Sequence, residues 1–242
     1  MTRPIHALLI AGLVAAVAAA QPAGAAAQEA PAAALSTCAA ADSADPFLAR
    51  VVAARDLEPK AAEAALAALE PEAQGAADER PADAAAQYRL AAVLGAQLDH
   101  ESGGAKMSGA SAVRDRAMLV LALEPGHAGA SYMLGRIHSS ILRMSGFKRF
   151  VAKRLFGGDA LDGASWETAE TLLEAAVQGD PCVPDHHFEL ARVYAHTGDV
   201  DGAERALASV RELTADATGA EARLRDKAAQ FEKEWRDNGR KI

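Results

Sequence analysis

The sequence predicts an all-α protein built from repeated helical hairpins, and three observations carry that prediction. Alanine is abundant, while aromatic residues make up only 5% of the 242 residues. Alanine is the strongest helix former and lets helices approach closely, whereas a β-sandwich of this length would be rich in β-branched and aromatic residues. A bulky-small pair also recurs in one phase behind a proline: Leu134-Gly135 follows Pro125, and Leu190-Ala191 follows Pro181. Each pair is answered downstream by an alanine and a leucine at helical spacing, Ala169 with Leu173 and Ala203 with Leu207, as two helices pressed together require. With 50% hydrophobic residues the chain can bury a sizeable core.

The chain opens on an export signal. Arg3 and the amino terminus give a short positive region, Ala7 to Ala20 is unbroken apolar sequence, and Ala23-Gly24-Ala25 and Ala25-Ala26-Ala27 offer small residues for cleavage. The apolar run is shorter than the roughly 20 residues a transmembrane helix needs. Residues 1–27 are therefore expected to be a signal peptide, and the mature chain periplasmic or secreted. Residues 28–45, alanine-rich with proline and serine and without a helical stripe, read as a flexible linker, and residues 46–242 as the repeat domain. Cys38 and Cys182 remain after processing. A single pair in an oxidising compartment makes them candidates for a disulfide tying the start of the mature chain to the connection after Pro181, although sequence alone leaves open whether they meet.

Asp45-Pro46 ends the linker and Phe47 opens a short helix. Pro59 sits where a first-turn proline is tolerated, with Ala62, Leu66 and Leu69 behind it at helical spacing, and Pro71 to Pro81 reads as a polar break. The first repeat helix covers Asp83 to Leu98, with Leu90, Ala91 and Leu94 inward, and His100-Glu101-Ser102-Gly103-Gly104 ends it. After an expanded loop, Val113, Ala117, Val120 and Pro125 complete that hairpin. The second hairpin starts with a helix from Ala128 to Arg143, but its partner begins only at Ser165, so an insertion separates them. The third runs from Asp185 to Leu213, with Gly198 in its tight turn. Leu224, Ala228, Phe231 and Trp235 form the inner stripe of a terminal capping helix, because Arg225 stands where a small residue would have to receive another helix.

A bulky, a small and an aromatic residue on one helix, answered by alanine and a bulky residue on the next with a period of about 34 residues, is the tetratricopeptide pattern. The stretch HAGASYMLGRIHSSILRMSGFKRFVAKRLFGG, followed by ASWETAETLLEAAVQGDP and HHFELARVYAHTGDVDGAERAL, resembles the tetratricopeptide domain of the regulator of microtubule dynamics family and its bacterial relatives. The marks are Leu134, Gly135, Arg136 and His138, the basic-aromatic insertion from Phe147 to Gly157, and the helix from Ala169 to Pro181. With YRLAAVLGAQLDHESGGAKMSGASAVRDRAMLVLALEP upstream, the likeness covers residues 84–210. It implies the fold: a tetratricopeptide-type α-α solenoid with an inserted helix and a C-terminal capping helix. An exported chain has no microtubule to regulate, so the cellular role does not transfer.

Several function classes are disfavoured. A net charge of −8 argues against a general nucleic-acid binder. Ser139-Ser140 lacks a glycine elbow, and no nucleophile, base and acid share a motif. His186 and His187 point about 100° apart on a helix, so they do not ligate one ion together. No enzyme activity, metal, cofactor or small-molecule substrate is expected.

In tetratricopeptide solenoids the first helix of each hairpin lines a concave groove, with its fifth and ninth repeat positions facing inward. Here the fifth positions are Tyr88, Tyr132 and Phe188, the ninth are Arg136 and Arg192, and His196 falls on the same wall. Aromatic rings beside guanidinium groups suit an extended peptide. The competing reading packs the rings on neighbouring helices and pairs the arginines with Glu170 or Glu189. In the insertion, Phe147, Phe150, Val151 and Leu155 share a face with Lys148, Arg149, Lys153 and Arg154 around it. Such a helix can lie on anionic lipid or dock on the repeats with its charges solvated. The expectation is a non-enzymatic protein- or peptide-binding scaffold of the cell envelope, with a membrane-peripheral lipid binder as the alternative.

Overall fold

The computed structural model describes Cys38 and residues 45–145 and 164–240, which are predominantly α-helical. Helix α1, Pro46–Arg55, starts as its sequence dictates: Pro46 occupies the first turn and the Asp45 carboxylate accepts from the Phe47 and Leu48 amides. Helix α2, Pro59–Glu79, corrects the expected break between Pro71 and Pro81, because it runs straight through Pro71. A proline removes one backbone hydrogen bond, but Leu66 and Leu69 before it and Ala73 and Ala77 after it form one buried stripe, and burial of that stripe keeps the helix continuous. The break comes after Arg80, where Asp83 caps helix α3, Ala84–Gln97, by accepting from Ala85 and Ala86.

Helix α4, Gly103–Leu123, corrects the expanded loop, since the connection after α3 spans only 98–102. Glycine makes the close return feasible: a Cβ at Gly109 would stand 2.5 Å from the Leu98 side chain, so the early turns of α4 fold back onto the end of α3. Helix α5, Ala128–Arg143, is capped by His127, whose ring nitrogen accepts from the Ala130 amide. Helix α6, Trp166–Gly179, is capped by Ser165, and α7, Pro184–Thr197, ends at Gly198 with φ +89°. That left-handed turn leads into α8, Val200–Leu213, capped by Asp199. Helix α9, Gly219–Asp237, buries Leu224, Ala228 and Trp235 against the preceding hairpin. Arg225 donates to the Thr214 and Ala215 carbonyls and so closes the end of α8.

Consecutive helices pack in pairs, and α1, α3, α5, α7 and α9 also touch one another in series. They form an inner layer, with α2, α4, α6 and α8 outside it, which is the architecture of an all-α helical-repeat solenoid. The most extensive contact joins α5 to α6. A Cβ at Gly135 would lie 2.7 Å from Leu173 Cγ and 3.2 Å from the Ala169 carbonyl, and one at Gly179 would lie 2.9 Å from Ala128 Cβ. Two separate cores anchor the ends: Phe47, Val51, Leu66, Leu90 and Val93 among α1–α3, and Leu173, Phe188, Leu207 and Trp235 among α6–α9.

Candidate functional site

The inner layer and the first half of α4 line an open-sided cavity of about 1990 Å³. Leu48, Val51 and Val52 from α1, Ala92 and Ala96 from α3, Met133 and Ile137 from α5, and Met107 from the start of α4 give it largely apolar walls. The sequence-predicted residues Tyr88, Tyr132 and Arg136 come together on this wall. Tyr88 lies directly on the backbone of α5, where a Cβ at Gly129 would collide with its hydroxyl, and its ring meets His127 at 4.2 Å between centroids. Tyr132 leans on His186 at 4.8 Å. Burial pushes both phenols up, Tyr88 to about 12, so both are neutral donors at neutral pH.

Two ion pairs that the sequence reading missed cross this surface. Arg136 of α5 donates to Asp99 in the turn after α3, and Arg55 at the end of α1 holds both oxygens of Asp185 on α7 at 3.3 Å. Burial opposes ionisation of Asp99, but Arg136, together with Arg55 and Lys106, overcomes that effect and holds the carboxyl below its ordinary range. Both pairs join residues far apart in the chain. No local pattern announces them.

The other half of the predicted row lies elsewhere. Phe188 is 2% exposed because α9 covers it: Phe231 packs edge-on at 6.0 Å, and Lys227 stands 5.4 Å from the ring centroid. Arg192 lies over the same ring and bonds Glu189 at 3.1 Å. Glu189, only 4% exposed, also accepts from Arg143 at 3.3 Å. Burial raises its pKa, but Arg143, Arg192, Arg136 and Lys227 overcome that effect, and the net shift is downward. His196 stacks on Trp166 at 4.5 Å, and burial, aided by Arg143 and Arg192, lowers its pKa. The peptide row expected from the repeat register is thus interrupted at α7, where the terminal helix occupies the inner face. Glu170, the other expected arginine partner, accepts instead from Thr197.

His186 and His187 bond the Asp180 and Pro181 carbonyls and hold the turn before α7. Among the described residues no three His, Cys, Asp or Glu side chains converge as a metal site requires. Cys182, on the cavity rim, is joined to Cys38 in a disulfide with Cα atoms 5.2 Å apart. Lys148, Arg149, Lys153 and Arg154, and the expected signal peptide, lie outside the described residues. Within those residues no helix is long and apolar enough to cross a membrane.

Residues 48–235 match the family model of the regulator of microtubule dynamics protein 1-3. The match extends beyond the motif-bearing stretch to include nearly all of α1 and most of α9, and the chain belongs to that family. No curated protein matches it.

Proposed function

We propose that the chain is a non-enzymatic scaffold of tetratricopeptide type that holds a protein or peptide segment in its inner cavity, working in the cell envelope after export. The observation that carries this reading is the cavity itself. At about 1990 Å³ it exceeds the roughly 300–1,000 Å³ of a typical small-molecule site. Its walls are helical, and its polar groups suit a peptide: the Tyr88 and Tyr132 hydroxyls can donate to backbone carbonyls, while the Arg136–Asp99 and Arg55–Asp185 pairs can exchange a partner for a charged residue of the ligand. Those charges are already paired with each other, which supports binding over catalysis. Export is supported by the basic-apolar-small order of residues 1–27 and by the Cys38–Cys182 disulfide, which suits an oxidising compartment.

Crosslinking and pull-down from the native envelope would name the partner, after which Tyr88→Phe with Tyr132→Phe tests the site. The double change removes two hydrogen-bond donors while keeping ring volume, and each bond contributes about 0.5–1.5 kcal/mol. Affinity should fall roughly tenfold or more with the melting temperature unchanged. Unaltered affinity would place the partner outside the cavity.

A further inference from the structure

Helices α1 and α9 belong to opposite ends of the solenoid, yet their ends meet across the inner face. Asp56, in the turn after α1, accepts a hydrogen bond from the Ala220 amide in the first turn of α9. Arg223 of α9 donates to the Arg55 carbonyl, and Arg55 itself reaches Asp185 on α7. Thr218, at the start of α9, makes no side-chain cap bond of its own, so Asp56 supplies the cap from the far end of the fold. Gly219 permits this approach: its φ is +60°, and a Cβ there would stand 2.3 Å from the Asp56 carboxylate.

This contact differs in kind from every other junction of the inner layer. Phe47, Val51 and Ala54 of α1 belong to one apolar core and Leu224, Ala228 and Trp235 of α9 to another, and no apolar cluster spans the two helices. The junction consists of polar bonds on exposed groups. Such bonds exchange readily with water, whereas parting an apolar helix interface exposes its core. The residues involved are also part of the cavity wall: Ala53, Arg55 and Asp56 on one side, Thr218, Ala220 and Glu221 on the other.

We propose that the Asp56–Ala220 and Arg55–Arg223 contacts form a polar clasp that gates the inner cavity, opening without disturbance of either core to admit a ligand. The gate rests on the binding space proposed above. Opening separates the start of α9 from the turn after α1, while the Cys38–Cys182 disulfide stays closed throughout.

The test uses the full mature chain, with 8-anilinonaphthalene-1-sulfonate as an apolar anionic probe followed by stopped-flow fluorescence, and hydrogen exchange at Ala220. Asp56→Ala should remove protection at Ala220 and speed dye uptake about tenfold, the equivalent of one hydrogen bond, with the final amplitude and circular dichroism unchanged. Asp56→Asn keeps an acceptor and should stay within about threefold of the parent. Uptake at the parent rate in Asp56→Ala would overturn the gate, whatever exchange shows, because the contact would then be only a helix cap. No dye uptake by any variant would sink the cavity reading and the gate with it. If Asp56→Ala fails to fold, Arg223→Ala, which removes only the bond to the Arg55 carbonyl, is measured by the same criteria.

Discussion

Replacing glycine by alanine at two helical positions should move stability in different directions, and the gap between them measures how closely α5 meets α6. Gly75 lies in the interior of α2, is exposed, and a Cβ there would find no atom within 4 Å. Gly75→Ala should therefore realise the full helix-propensity gain of about 1 kcal/mol. Gly135 sits in α5, where the added Cβ would approach Leu173 Cγ to 2.7 Å, Leu173 Cδ2 to 3.1 Å and the Ala169 carbonyl to 3.2 Å. Neither obstacle yields easily, since Cγ is the branch point of a fully buried leucine and the carbonyl belongs to the partner helix. Overpacking of this kind costs about 1–3 kcal/mol, which cancels or reverses the propensity gain. For a domain of this size about 1 kcal/mol moves the melting temperature by about 2–4 °C, so the two variants should differ by about 4–8 °C for an overpacking cost near 2 kcal/mol. Thermal unfolding followed at 222 nm, with urea titration as a check on two-state behaviour, reads the difference. If Gly135→Ala is stabilised as much as Gly75→Ala, then Gly135 does not face α6 and the hairpin register is wrong.

Cleavage of the disulfide is the second prediction: the bridge spans 144 residues, for which chain entropy gives an upper bound of about 5 kcal/mol, so Cys38→Ser with Cys182→Ser should lower the urea midpoint while keeping helicity, and an unchanged midpoint would show that the bridge restrains nothing. Acid should destabilise the fold in two stages. Burial depresses His186 and His187 in the folded state, so their contribution is complete above the ordinary histidine range and declines as pH falls below about 6.5. Glu189 and Asp99 are depressed by their arginine partners despite burial, so their contribution is present above the ordinary carboxylate range and is lost as pH falls through the depressed values. Melting temperatures between pH 7.5 and 3 should show both declines, Glu189→Gln should flatten the lower one while costing about 3 kcal/mol at neutral pH, and a flat profile would contradict both assignments.

How far the sequence reaches depends on whether a feature is local. Helices α3 and α5 to α8 were legible because the bulky-small pairs and their downstream alanines repeat in phase, and each pair marks a helix contact that the structure contains, Gly135 against Leu173 most clearly. The continuity of α2 through Pro71 was not legible, because proline is a strong local signal while the stripe that overrides it draws its energy from other helices. The early start of α4 was hidden likewise by Gly103 and Gly104. For the candidate site, repeat phase picked out Tyr88, Tyr132 and Arg136, which line one cavity wall. It failed for Phe188 because the terminal helix brings Phe231 and Lys227 over that ring, an encounter between segments that repeat phase does not encode. The Arg136–Asp99 and Arg55–Asp185 pairs escaped for the same reason, since each joins side chains brought near only by stacking of the inner layer.

The central claim, that the inner cavity is the binding surface, is tested most directly by photo-crosslinking from two positions in the host. A benzophenone amino acid replacing Ile137 sits on the cavity wall, and one replacing Met118, 56% exposed on α4, sits outside it. Illumination of intact cells should yield one discrete protein or peptide adduct from position 137 and none from 118, and Tyr88→Phe with Tyr132→Phe should weaken it. The same adduct formed from position 118 and absent from 137 would contradict the account.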